Sequence, residues 1–275
     1  MHAYFGRDAA RQAVRDGAIK IANGFFVSEQ PTPHQLAQLI TQRWPGSALD
    51  AYSAARLHLG RKLEFPLHFL RASSMPASEF FHHRRVQPKG VHSIEGINVC
   101  NPLQAVEALT HDEAVWFLES LLAGRGAFQR VAKLKQDFPK LPTHTQRVLE
   151  KAIIGADSKV ERMLTNALRE YVEVRNNVKI GPYFWDLYLP KYGIVIDIDG
   201  YAYHNGEDRQ TFEVDRHKLN DATQRKLRPL HYTATTILHH LDFAVTQVRR
   251  TAEGRRPTAS PPWEWHWLWH DPLGG

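Results

Sequence analysis

The run Gly193-Ile194-Val195-Ile196-Asp197-Ile198-Asp199-Gly200 restricts the fold more than any other stretch of this chain. Its β-branched residues predict a strand in the interior of a sheet. Successive side chains of a strand face opposite ways, so Ile194, Ile196 and Ile198 point one way and Val195, Asp197 and Asp199 the other. A carboxylate taken out of water costs several kcal/mol unless something compensates it. Just upstream, "GPYFWDLYLPKY" (181–192) predicts a neighbouring strand near 183–189 that contains Asp186, with the bend at Tyr192–Gly193. Adjacent strands lie about 4.8 Å apart, so Asp186 and Asp197 can meet on one face. Two or three carboxylate oxygens, completed by water and a substrate phosphate, suit a hard divalent cation such as Mg²⁺, with Mn²⁺ as the alternative. The ion would offset the burial of the carboxylates, polarise a phosphoryl oxygen and supply hydroxide.

The surrounding residues, 146–254, predict an α/β domain. A helix is expected near Thr143–Ile154. Ser158 caps a second helix, with Glu161 as its reciprocal partner, and Val160, Met163, Leu164, Ala167, Leu168 and Tyr171 form its apolar face. Strands follow near 173–179, 183–189 and 193–199. A turn over 200–207 leads to a helix near Phe212–Lys226, a strand in "RPLHYTA" (228–234) and one closing helix in "TTILHHLDFAVTQVRRTA" (235–252). The order α–β–β–β–α–β–α makes a mixed sheet flanked by helices.

Residues 1–145 predict a smaller α+β domain. A helix from Arg7 to Arg15 stops at Gly17. Then "AIKI", a turn at Asn23–Gly24 and "FFVS" read as a hairpin, the closing half of a winged helix. "SALDAYSAARLHLG" (47–60) reads as a helix with Asp50 or Ser53 near its start, and "EFPLHFLRA" and "HHRRVQPKGVHSIEGINVC" as short strands. Residues 255–275 form a Pro- and Trp-rich tail, with Trp263, Trp265, Trp267 and Trp269 in alternation.

Composition narrows the function classes. The formal charge of +6 favours anionic partners, nucleic acid first. The single cysteine, Cys100, excludes an internal disulfide and a thiolate zinc site and fits a reducing cytoplasm. The N-terminus reads as no signal peptide, and no run is apolar enough to span a bilayer, so no membrane partner is expected. The pairs His82–His83 and His239–His240 are not natural chelates, because neighbours on a helix do not share a face.

The acidic pattern resembles the PD-(D/E)XK nuclease superfamily, and within it the very-short-patch-repair-like (Vsr-like) branch. Ser158, Glu161 and Leu164 match that branch's "S-x-x-E-x-x-L" helix. Asp186 and Pro190 match its "D-x-x-x-P" strand. "D-I-D-G-Y-A-Y-H" gives Asp197, Asp199, Gly200 and His204 where the branch has "E-V-D-G-x-x-x-H". Asp215 and Lys218 fill its "D-x-x-R" helix. The resemblance implies a restriction-endonuclease-like fold over about 146–250. It implies metal held by Asp186 and Asp197 with Glu161 near it, Asp199 assisting, Asp215 toward the nucleic acid, and a basic group supplied by His204 or Lys218. Two departures stand out: Asp197 replaces the usual Glu, and Asp199 occupies the superfamily's lysine slot.

The first region is similar to AbiEi-family antitoxin-type proteins, on its helix and hairpin, on Ser53, Ala54, Ala55, Leu57, His58 and Gly60, and on "GINVCNPLQAV" (96–106). That resemblance implies a winged helix on DNA, with Arg7, Arg11, Arg15 and Lys20 meeting phosphates. Together the two resemblances imply a Mg²⁺-dependent DNA endonuclease of repair or of phage or mobile-element defence. Its substrate would be duplex DNA, mismatched or nicked duplex included, with pairing of two chains left open. The alternative is a non-catalytic DNA-binding regulator or antitoxin that keeps the nuclease fold as scaffold.

Overall fold

The structure, a computed structural model, describes residues 2–6, 11, 13–199 and 209–255. Arg7, His204 and the tail with its four alternating tryptophans lie outside the described residues. The chain divides into two compact units, residues 1–122 with 129–152 and residues 123–128 with 153–275. The expected boundary at 145/146 thus falls inside a helix of the first unit, Thr143–Lys151. Thr145 anchors that helix there: its amide donates to Glu107 and its hydroxyl to the Leu103 carbonyl. Residues 123–128 join the second unit through a parallel bridge between Ala123 and Gly155.

The first unit opens with a three-stranded antiparallel sheet, β1 (Ala3–Phe5), β2 (Ile19–Ala22) and β3 (Phe25–Val27), in the order β1-β3-β2. The hairpin is where the sequence puts it, turning through Gly24 at φ +71°. Ahead of it residues 13–15 are helical and end at Gly17, as expected. Helix α1 (Pro33–Arg43) carries a capping box between Thr32 and Gln35.

A five-stranded mixed sheet follows: β4 (Ala48–Leu49), β5 (Leu67–Leu70), β6 (Phe81–Arg84), β7 (His92–Ile94) and β8 (Ile97–Val99), ordered β6-β5-β4-β8-β7. Helix α2 (Ala51–His58) leaves β4, and α3 (Pro102–Ala105) follows β8, capped by Asn101. Helix α4 (His111–Leu121) carries a second capping box, Thr110 with Glu113. Helix α5 (Ala127–Lys135) and α6 (Thr143–Lys151) complete this part of the chain. Leu36, Ile40, Leu49, Phe69, Phe81, Ile97 and Phe117 are fully buried here.

The second unit holds α7 (Lys159–Arg169), β9 (Arg175–Ile180), β10 (Tyr183–Leu189), β11 (Ile194–Asp199), α8 (Arg209–Gln224), β12 (Arg228–Thr233), α9 (Ala234–His239) and α10 (Leu241–Ala252). The expected order is present, except that the closing helix is broken in two. His240, at φ −138°, leaves the helical region, and its amide caps α9 by bonding to Thr236. The sheet order is β12-β11-β10-β9, with β11 and β12 parallel and the other pairs antiparallel. Ile194 and Ile196 pack with Leu187, Leu189, α7, α9 and α10 on one face. Val195 packs with Trp185 and with Ala222 of α8 on the other. The strand's alternation therefore separates the isoleucines from the aspartate face as its pattern requires.

Candidate active site

The register between β10 and β11 pairs Leu187 with Ile196, Tyr188 with Val195 and Leu189 with Ile194, and the next position brings Asp186 level with Asp197. There the side chains take over from the backbone ladder. Asp186 Oδ2 accepts the Ile198 amide at 2.7 Å, and the Asp186 amide in turn hydrogen-bonds the Asp197 carboxylate. Strand β10 changes face at this point. Strict alternation would put Trp185 with Leu187, yet Trp185 packs with Val195 and Ala222 on the α8 face. On β9, Asn177 has a left-handed backbone at φ +49°, and its side-chain amide donates to Gly155 O and Asp157 Oδ2.

Lys218 reaches the same place from α8. Its Nζ lies 2.5 Å from Asp197 Oδ2 and 4.5 Å from the centre of the Trp185 ring. Trp185 is 1% exposed, so the ammonium is held between a buried aromatic face and a carboxylate. Lys218 is therefore committed to Asp197 and not to Asp215, which stands exposed one helical turn earlier.

Glu161 is buried on α7. Ser158 caps the helix as expected, accepting the Glu161 amide at 3.2 Å. The return contact differs from a capping box. Glu161 Oε2 accepts the Asp157 amide, one residue earlier than Ser158, at 2.9 Å. The carboxylate is thereby positioned so that its charge acts on Asp186.

These surroundings raise the proton affinity of all three acids. Burial, with the charges of Asp197 and Glu161, pushes Asp186 up to about 7; the Ile198 amide and Lys218 oppose it. Burial raises Asp197 too, against Lys218 and His231. Burial raises Glu161 against its hydrogen bonds from Asp157 and Ser158. The cluster has three acids and one paired cation, a deficit of positive charge in a partly desolvated place.

The other expected residues stand apart from this cluster. Asp199 is exposed at the last position of β11, so one of the two strand aspartates is buried, not both. Arg11, Arg15 and Lys20 are exposed in the first unit. Among the described residues, no three of His, Cys, Asp and Glu converge closely enough to hold a metal ion, so Glu161 does not complete a ready three-acid set. Asp186 and Asp197 both retain acceptor capacity, since a carboxylate offers about four lone-pair positions. A pair of such carboxylates fits Mg²⁺ or Mn²⁺, which take one or two protein carboxylates with water and phosphate.

Sequence reasoning missed two residues here. Trp185 was hidden because alternation assigns it to the wrong face. His231 is the parallel register partner of Asp197 on β12 and sits 6.0 Å from the Trp185 ring. Knowing that β12 pairs with β11 would have found it; nothing local to "RPLHYTA" does.

No protein-family model matches the chain, and no curated protein is significantly similar to it. No helix among the described residues is long and apolar enough to cross a membrane.

Proposed function

We propose that the second unit is a metal-dependent endonuclease that hydrolyses DNA phosphodiester bonds, on a restriction-endonuclease-like sheet, with the hairpin region of the first unit as a DNA-binding element. The observation that carries this reading is the Asp186–Asp197–Lys218 cluster, a half-buried and a buried acid with a lysine, gathered where β10 and β11 part. The lysine of such sites is here supplied by α8, which answers the aspartate in the slot two residues after Asp197.

Asp186 and Asp197 are the residues that would hold Mg²⁺ or Mn²⁺. When bound, the ion supplies Lewis acidity and a water of lowered pKa. Lys218, fixed by Asp197 and Trp185, has ammonium hydrogens to spare for a phosphate oxygen, and it donates most strongly as charge develops there. Glu161 adds negative charge that strengthens cation binding at Asp186. His204 remains the second proposed basic group. The nucleic-acid part of the reading is supported by Arg125 and Lys179, whose cationic ends lie 4.3 and 5.8 Å from the centre of the Phe184 ring. Phe184 is two residues before Asp186 on the same strand, β10. The charge of +6 points the same way.

The test is nicking of supercoiled plasmid by the purified chain in Mg²⁺, Mn²⁺ and EDTA, with Asp197→Ala beside the wild type. Metal-dependent nicking that the variant loses, while staying folded, supports the nuclease. Nicking retained by Asp197→Ala overturns the site. If neither protein cuts any DNA form and both bind it, the non-catalytic regulator takes over.

A further inference from the structure

The first unit gathers a second cluster of polar side chains, of opposite character. Asp50 follows β4 directly, and its amide bonds to the His68 carbonyl on β5. His68 is in turn the register partner of His82 on β6, and Arg84 stands two residues beyond His82 on the same face. Arg84 closes the row. Its Nε and Nη2 donate to Asp50 Oδ2 and Oδ1 at 2.7 and 3.1 Å. The aspartate is 1% exposed, whereas the arginine side chain remains 39% exposed. A buried carboxylate thus fixes the guanidinium in a planar fork and leaves Nη1 out of it.

Three features at this place cost free energy, and the first of them is one a bound group can relieve. His68 Nδ1 is buried with no hydrogen-bond partner, which costs about 1–3 kcal/mol. Asp50 occupies the N-cap position of α2, yet gives its carboxylate to Arg84 and makes no cap bond, forgoing about 1 kcal/mol. Ala51, the first residue of α2, has φ +46°, a left-handed backbone that costs an alanine about 1 kcal/mol or more. All three border one cavity of about 320 Å³, lined by Asp50, Ala51, Tyr52, His68, His82 and Arg84 among others. Two further lining residues are already committed. His83 Nε2 accepts the Met75 amide, and Glu113 Oε2 accepts the Thr110 amide and hydroxyl.

We propose that this cavity binds a small phosphomonoester, its phosphate seated against Arg84, His68 and His82. A dianion with three terminal oxygens satisfies several donors at once and matches a guanidinium held in a fixed plane. A phosphate fills only part of about 320 Å³, which leaves room for the group that carries it, at the small end of ligand pockets. The site is independent of the nuclease reading, because every residue in it belongs to the first unit.

The test is isothermal titration of the full chain with inorganic phosphate and with 5′-AMP, in EDTA so that no metal at the acidic cluster can recruit either anion. One site per chain is expected, tighter for 5′-AMP than for phosphate. His82→Ala is the leading variant, because its exposed side chain can be removed without unfolding the sheet; binding about tenfold weaker is expected. Arg84→Lys keeps a charge beside Asp50 but loses the fork, and should bind about tenfold weaker or worse. The wild type binding neither probe overturns the proposal. So does binding that both variants leave unchanged, since the anion then sits elsewhere.

Discussion

Asp50 and Asp197 are the same residue type in nearly the same circumstance, and their surroundings make them opposites. Each is under a tenth exposed, each lies in or just beyond a strand, and each meets a cation from a later element. Asp50 meets a guanidinium that takes both of its oxygens. Asp197 meets a lysine on one oxygen, with Asp186 beside it and Glu161 within electrostatic reach. In the first case the aspartate is satisfied and serves to fix the arginine, with His68 and His82 in the same row. In the second the acids outnumber the lysine. The difference follows from counting the partners around one aspartate: two guanidinium nitrogens on Asp50, one ammonium on Asp197.

The largest expected effect is on stability when each pair is broken. Arg84→Met strands the buried Asp50 carboxylate with only the weak Cys100 thiol donor, and should destabilise the first unit by about 3–5 kcal/mol. Lys218→Met should cost the second unit less, about 1–3 kcal/mol, and less still in acid, because Asp197 already binds a proton readily and can neutralise itself. Hydrogen exchange in denaturant, read separately for the strands of each unit, checks this. Equal losses at all pH values would erase the contrast.

Stability against pH should differ in sign between the units. Asp186 is raised to about 7 in the folded state, so between about pH 4 and 7 the native unit holds a proton that the unfolded chain has released. Its stability therefore falls as pH rises through that window, by at most about 4 kcal/mol from this group. His58 in the first unit is lowered to about 4, by burial first and by His92, against its bond to the Cys100 carbonyl. Between about pH 4 and 6.5 the unfolded chain holds the extra proton, so the first unit loses stability as pH falls, by at most about 3 kcal/mol from this group. Calorimetry of metal-free wild type, Asp186→Asn and His58→Gln across pH 4–8 should show each substitution flattening its own slope. Slopes of the same sign for both groups would refute the assignment.

Much of the second site was legible in the sequence, and the reason is local. A period-two run of isoleucines fixed the faces of β11, and a tight bend at Gly193 made β10 its neighbour, so Asp186 and Asp197 had to meet. What escaped depended on long-range or exceptional geometry. Trp185 reaches Lys218 only because side chains replace backbone pairing at Asp186. The helix expected over 235–252 breaks at His240, where the residue types give no warning. The sequence offers Asp50 or Ser53 as the residue near the start of this helix, and by position it is Asp50. Its carboxylate goes instead to Arg84, 34 residues away, through a sheet whose order no local pattern announces. Buried polar pairing of that kind is set by tertiary structure.

Smaller effects sharpen the two sites further. Trp185→Phe removes the better cation–π face under Lys218 and should cost about 1 kcal/mol. It should also slow nicking about tenfold while leaving Mn²⁺ affinity unchanged, the separation that marks a positioning role for Trp185. Smallest of all, Lys20→Ala on the exposed edge of the hairpin should change stability by no more than about 0.5 kcal/mol. It should weaken DNA binding modestly and lower the salt slope by about one. An unchanged salt slope would remove the hairpin from the DNA-binding face.

The most direct measurement of the central claim is a Mn²⁺ titration at pH 7, following heat and released protons together, on the wild type and on Asp197→Asn. The charge deficit around Asp186 and Asp197 predicts one ion per chain, bound with release of a fraction of a proton as the cation displaces it from Asp186. Asp197→Asn should bind at least tenfold more weakly. No saturable binding by the wild type, or equal binding by the variant, would contradict the assignment of this cluster as a metal-dependent nuclease site.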